Sequence, residues 1–170
     1  ADDAERMARV LTGSAVGVVF SGGGARAYAH IGALRALHEA KVPIDFVGGS
    51  SMGAVIAAGP ALGWAQEELE ARIHRAFVVK DPLSDITFPM LAMSRAAKVD
   101  QLLIDAYGDM DLADTVRPFF AVSTNLTSGK IEVHRRGMMR RAMRASIAIP
   151  GLLPPIVIDG QVLVDGAVLN

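Results

Sequence analysis

Three short stretches of this chain carry residue types that can do chemistry. Gly49-Ser50-Ser51-Met52-Gly53 fits the pattern G-x-S-x-G, in which the central serine sits on a strained strand-to-helix turn with its hydroxyl exposed. That serine is Ser51. The shifted frame, Gly48 to Met52, would centre Ser50 and put a methionine where strand and helix approach too closely for a side chain. Glycine spacing thus favours Ser51 over Ser50, against the plain alternative of a glycine-rich turn whose serines cap a helix. The second stretch, Gly22-Gly23-Gly24, follows an apolar run and opens a helical one, so successive backbone N–H groups and a helix dipole face one space. An anion fits there, either a nucleotide phosphate or the transient oxyanion of acyl transfer. The third is Asp165-Gly166 in "LVDGAV", an ordinary turn dipeptide that also supplies a carboxylate able to take a serine proton.

A nucleophilic serine needs a base. The histidines are His30, His38, His74 and His134, whereas the order Ser, Asp, His puts the histidine after the acid and near the C-terminus, and nothing after His134 can fill that role. A histidine triad therefore fails on order, which leaves Asp165 as the candidate and a Ser51–Asp165 dyad as the arrangement. His30 is expected to pack or hydrogen-bond behind the glycine loop. A competing reading takes Gly22-x-Gly24-x-x-Ala27 as a dinucleotide fingerprint with Asp45 on the ribose, although Asp45 precedes the end of its strand. No Gly-Lys-Ser/Thr follows the glycines, so a P-loop is excluded. "GDMDLAD" (108–114) lacks the glycine and closing glutamate of a calcium hand and reads as a solvated turn with Asp111 or Asp114 as a cap.

These residues need elements to hold them. Ala4–Leu11 reads as a short amphipathic helix, Ala15–Ser21 as a buried strand, and 25–40 as a helix stopped by Pro43. Val42–Gly49 is a second strand, followed by a helix expected to break near Gly59-Pro60. Two strand–turn–helix units in succession argue for a three-layer α/β/α domain around a mixed, mostly parallel sheet, with ligands at the carboxyl ends of its strands. Helices are expected over 65–78 and 98–108, a strand pair over 118–126 and 130–136, and a basic helix over 138–146. A hairpin should turn at Asp159-Gly160. On the basic helix, Arg140 and Arg144 share a face that suits solvent or lipid head groups.

With 170 residues, the chain is one domain that should bury roughly 68–70% of its unfolded surface. Lys plus Arg number 17 and Asp plus Glu 18, so no basic field exists to hold nucleic acid. The absence of cysteine excludes disulfides, thiolate metal sites and cysteine nucleophiles. No apolar stretch reaches the roughly 18 residues of a spanning helix, and the charged N-terminus lacks a signal-peptide core, so a cytoplasmic protein is expected. Hydrophobic residues at 51% and a mean hydropathy of +0.34 leave apolar surface for a greasy partner. Ala1 at one end and a turn-like "VDGAVLN" at the other suggest a piece of a longer protein.

Together the three motifs resemble the patatin-like phospholipases, and most closely their bacterial branch similar to neuropathy target esterase. The segments that carry the resemblance are "GGGARAYAHIGALRAL", "VPIDFVGGSSMGAVIAA", "DPLSDITFPM", "RASIAIPGLLPP" and "VDGAVLN", in this order. The resemblance implies a serine lipid acyl hydrolase acting on a phospholipid or lysophospholipid without cofactor or metal, peripheral at a membrane and joined to further domains. It implies Ser51 as nucleophile, Asp165 as its partner, the amides of Gly22, Gly23 and Gly24 as oxyanion hole, and Arg26 bracing that loop or meeting a phosphate. Gly49 and Gly53 frame the elbow. Ala27 and Ala167 stand where the family usually has glycine, which bears on rate and substrate fit. The family pattern also continues past Asn170. A nucleotide-binding module and a catalytically silent relative stay open as alternatives, and "IAIPGLLPPIVI" (147–158) is expected to line an acyl channel or face a membrane.

Overall fold

A computed structural model describes residues 2–79 and 89–169. Of the segments behind the resemblance, "DPLSDITFPM" lies outside the described residues except for its last two. The chain starts with helix α1 (Asp2–Thr12), whose Arg9 guanidinium donates to both carboxylate oxygens of Asp45 at 2.7–3.1 Å. Asp45 is fully buried and also accepts the Val16 N–H, so the ion pair fastens α1 to the start of the sheet. Arginine beside it holds the Asp45 carboxyl below the usual range. Removing Arg9 alone would strand a buried charge at a cost of about 3 kcal/mol, the low end for such pairs because Arg9 is itself partly in water.

Strand β1 (Gly17–Phe20) leads through a short 3₁₀ turn at Gly24–Tyr28 into helix α2 (Ala29–Glu39), and strand β2 (Phe46–Ser50) into helix α3 (Met52–Leu62). Every residue of α3 from Gly53 to Gly59 is buried. A helix apolar all round belongs in the interior. The expected break at Gly59-Pro60 does not occur: α3 runs through Pro60 and ends on Gly63, whose left-handed φ of 75° closes the helix. Pro60 removes one N–H so near the end that little is lost. Gly59 serves packing instead, because a Cβ there would stand 2.7 Å from Leu69 Cδ1.

Helix α4 (Gln66–His74) passes into a π-helical turn, Arg75–Val79, and helix α5 (Pro89–Tyr107) precedes strand β3 (Phe119–Asn125). Strand β4 (Lys130–His134), helix α6 (Met139–Ser146) and the hairpin of β5 (Ile156–Ile158) and β6 (Gln161–Asp165) complete the described chain. Asp159 and Gly160 both have positive φ at the hairpin turn, 49° and 75°. Asp111 caps its turn as expected, accepting the N–H of Ala113 and that of Gly137. The core joins Phe20, Val47 and Phe119 of the sheet to Ile56 of α3 and Met143 of α6. Each such side chain contributes roughly 1.5–3 kcal/mol by leaving water.

Sheet order is β1-β2-β3-β6-β5, with β4 also on β3. β1–β2 and β2–β3 are parallel, while β3–β4, β3–β6 and β5–β6 are antiparallel, so the sheet is mixed. One feature of the register positions the site. β2 pairs with β3 up to Ser50↔Val122, and β6, coming from the opposite direction, pairs with β3 from Ser123↔Asp165 onward. Because β4 occupies the other edge of β3 over the same residues, β2 and β6 must abut end to end along one edge. The last residues of both strands therefore meet, although 114 positions separate Ser51 from Asp165 in sequence.

Candidate active site

Ser51 follows β2 and forms the N-cap of α3 with φ 54° and ψ −132°. A side chain rarely adopts such a backbone, and the strain costs on the order of 1–3 kcal/mol. The neighbouring glycines explain why it is held. A Cβ on Gly53 would stand 2.3 Å from the Phe20 carbonyl oxygen and one on Gly49 2.6 Å from the Gly53 backbone, so only hydrogen fits at either position. Gly166 is equally confined, with a Cβ position 2.3 Å from Ser50 Oγ and 2.5 Å from the Val122 carbonyl.

Ser51 Oγ donates to Asp165 Oδ2 at 2.5 Å. The other carboxylate oxygen, Oδ1, accepts the Ala167 N–H at 2.8 Å, and the Asp165 N–H is tied to the Ala148 carbonyl at 2.9 Å. Asp165 is only 3% exposed. Burial pushes its carboxyl above the usual aspartate range, against the opposing pull of the Ser51 hydroxyl and the Ala167 amide. Ser50 is also buried, but its hydroxyl has no hydrogen-bond partner among the described residues. Of the histidines, His134 bonds Ser123 Oγ at 2.7 Å and is held below its usual pKa by burial. His30 Nε2 meets the Ser21 carbonyl at 3.0 Å with its ring against Phe20, behind the glycine loop.

The glycine loop lies against the serine. A Cβ on Gly22 would stand 3.1 Å from Ser51 Cβ and 3.5 Å from Ala167 Cβ. Gly24 has a left-handed φ of 55°, and the 3₁₀ turn closes first where the Arg26 N–H reaches the Gly23 carbonyl. The amides of Gly23 at the N-cap and Gly24 thus belong to the donors that a helical start leaves without intrahelical acceptors, and Gly22 precedes them beside the serine. Arg26 is exposed; its backbone N–H closes the 3₁₀ turn onto the Gly23 carbonyl, and its side chain makes no hydrogen bond or ion pair with any described residue. Ala27 is buried in the core, and Ala167 is exposed with its methyl facing Gly22. Asp45 is committed to Arg9 and Val16, which removes the ribose ligand that a dinucleotide would need.

A residue that sequence reasoning missed secures the elbow. Ser146, the fully buried last residue of α6, accepts the Ser51 N–H at 2.8 Å and donates to the Val122 carbonyl at 2.7 Å. Its only signal was its place in "RASIAIPGLLPP". The same helix overturns the reading of a basic face. Arg144 is 5% exposed and pairs with Asp100, so its charge is spent inside the fold, whereas Arg140 pairs with Asp109 at the surface.

Beside Ser51 opens a cavity of about 220 Å³ with an almost wholly apolar lining. Gly24 and Tyr28 line it from the glycine loop, Met52 and Val55 from α3, and Ile147 and Leu153 from the segment expected to form an acyl channel. The site thus joins a carboxylate-bonded serine hydroxyl, a loop of backbone donors and a greasy pocket.

The patatin-like phospholipase model matches residues 18–170. This chain belongs to the patatin-like phospholipase family. An uncharacterized NTE family protein of Mycobacterium tuberculosis is 42% identical over 164 residues, covering 96% of this chain and 28% of the relative. Human patatin-like phospholipase domain-containing protein 6 is 36% identical over 99% of the chain and 13% of its own length. Lysophospholipase NTE1 of Yarrowia lipolytica is 35% identical over 99% of the chain and 12% of its own length. The chain therefore spans a minor part of these relatives. Among solved structures, VipD of Legionella pneumophila superposes with a TM-score of 0.65 at 17% identity, over 91% of this chain and 46% of that one, which is a likeness of fold. That fold is an α/β domain with helices flanking a mixed sheet. No helix among the described residues is long and apolar enough to cross a membrane.

Proposed function

We propose that this domain is a serine lipid acyl hydrolase that cleaves the fatty-acyl ester of a phospholipid or lysophospholipid. The observation that carries the reading is the 2.5 Å hydrogen bond from Ser51 to a buried carboxylate at the mouth of an apolar cavity. The family and the relatives named as phospholipases and lysophospholipases support it. Ser51 Oγ attacks the ester carbonyl carbon while Asp165 Oδ2 takes its proton, and the carbonyl oxygen becomes an oxyanion facing the amides of Gly22, Gly23 and Gly24. Collapse breaks the ester bond, and the departing alkoxide takes the proton from Asp165. Water then attacks the acyl-enzyme and gives a proton to the same carboxylate. Collapse of this second intermediate frees the fatty acid and returns the proton to Ser51. No step needs a metal or cofactor. Arg26, exposed beside the loop, would meet a head-group phosphate in this reading. The reading includes a cytoplasmic location with transient contact at a membrane, where such substrates reside.

A fluorophosphonate probe tests the assignment. Covalent labelling that maps to the peptide carrying Ser51, with fatty acid released from a phospholipid and lysophospholipid panel, is the expected result. Unlabelled protein that binds NAD saturably would replace this reading with the nucleotide one. Gly22→Ala tests the loop separately. Its methyl would stand 3.1 Å from Ser51 Cβ, closer than ordinary contact, and push the loop off the serine, so kcat should fall about 100-fold, the order of moving one oxyanion donor out of reach, with a modest drop in melting temperature. Ester hydrolysis and circular dichroism on one preparation would measure both.

A further inference from the structure

The cavity beside Ser51 is small for the substrate it is proposed to hold. Its volume of about 220 Å³ lies under the roughly 300–1,000 Å³ typical of ligand pockets. A second cavity, of about 500 Å³, lies directly behind it. Val55, Phe77, Leu102 and Leu103 line both, so these four side chains form the wall between the two. Beyond the wall the second cavity has a floor that includes Trp64, Ala106 and Tyr107. Of the charges on its rim, Arg72 and Glu68 are engaged with each other: the Arg72 guanidinium lies 4.4 Å from the Trp64 ring centroid and pairs with Glu68 at 2.9 Å. The interior left behind them suits hydrocarbon.

The four wall residues are not equivalent. Val55 is buried in α3, and Leu102 and Leu103 belong to α5, a helix of 19 residues. Phe77 alone comes from a short irregular element, the π-helical turn Arg75–Val79, and its ring is half-buried rather than locked in the core. It is also the bulkiest of the four.

Resting on the acyl-hydrolase reading, we propose that Phe77 sets the acyl-chain length this site accepts. Its ring closes the end of the first cavity, and a smaller residue opens the way into the second. The occupant of the extended groove is the methyl end of a fatty-acyl chain whose ester lies at Ser51. Two observations argue for that occupant. The groove shares four apolar wall residues with the catalytic cavity, and its own lining includes neither Ser51 nor the glycine loop, so it lies away from the polar ester.

Hydrolysis of p-nitrophenyl esters from butyrate to palmitate tests this. In the unaltered protein kcat/KM should climb with chain length and then level off once the first cavity is full. Phe77→Ala should extend the climb by about fourfold for each methylene newly removed from water, leaving butyrate hydrolysis near its starting value. Ala106→Leu fills only the second cavity, so it should leave the original profile unchanged but cancel the long-chain gain when combined with Phe77→Ala. Phe77→Leu is the milder variant should the alanine one fail to fold, and it should shift the profile in the same direction by less. A profile that keeps its shape in these variants, or a gain that survives Ala106→Leu, would overturn the proposal. Butyrate hydrolysis that persists in Ser51→Ala would instead overturn the catalytic reading, so the two failures are distinguishable.

Discussion

Replacing Asp165 by asparagine should lower kcat by about 10⁴-fold and at the same time raise the melting temperature. The first effect follows from the hydrogen bond. Asparagine can keep the geometry, with its carbonyl accepting the Ala167 N–H and its amide group donating to Ser51 Oγ. It cannot take a proton, and no histidine contacts Ser51 to replace it, so the loss lies at the upper end of the 10²–10⁴ range for general base catalysis. The second effect follows from burial. The folded state raises the Asp165 pKa, so it binds the proton more tightly than the unfolded chain does. Stability on this account is full below the unfolded value, about 3.9, and is lost as pH rises through the raised folded value. At neutral pH the penalty for an ionised buried carboxylate is fully present, and asparagine removes it. Melting curves of both proteins from neutral pH downward should therefore converge in acid. Activity should fall as acidification passes the raised pKa, with its midpoint above the ordinary aspartate range. A variant that melts below the parent at neutral pH would refute the burial account, and one that keeps its activity would refute the dyad.

Local spacing carried the reading as far as backbone contacts decide it. Glycines at 49 and 53 singled out Ser51 because strand and helix touch there at hydrogen-only distance, and that requirement is written within five residues. The alternation of strand, glycine turn and helix likewise gave β1 to α3 their order. What stayed hidden depends on pairing across the chain. Asp165-Gly166 looks like any turn until β6 comes to lie against the far half of β3 and abuts β2. Ser146 has no local signature, since its two hydrogen bonds reach Ser51 and Val122, 95 and 24 residues away. Arg144 was misread for the same reason. A helical wheel shows Arg140 and Arg144 on one face, but only the packing of α6 against α5 reveals that Asp100 waits there to pair with Arg144. Pro60 misled through propensity, which the buried surroundings of α3 outweigh.

The strain at Ser51 gives the other large expectation. Both Ser51→Ala and Ser51→Gly should abolish hydrolysis, by a factor on the order of 10⁶ as for serine nucleophiles elsewhere. The two variants should nevertheless differ in stability. Each loses the hydroxyl and leaves Asp165 with one partner fewer, so that cost is common to both. They diverge in the backbone: at φ 54° and ψ −132° alanine keeps the clash of its Cβ, whereas glycine occupies this region freely. Glycine also loses more entropy on folding, by roughly 0.5–1 kcal/mol, which offsets part of the relief. With strain of about 1–3 kcal/mol, glycine should come out more stable than alanine by about 1 kcal/mol. Urea titration of the two variants measures this directly as a shift in midpoint at constant slope. Equal midpoints would mean strain of only about 0.5–1 kcal/mol, just offsetting the entropy of glycine, and a less stable glycine variant would mean that the elbow is relaxed. A more stable glycine variant would mean that the fold holds Ser51 in a conformation it would otherwise leave, with Gly49, Gly53 and Ser146 supplying the restraint.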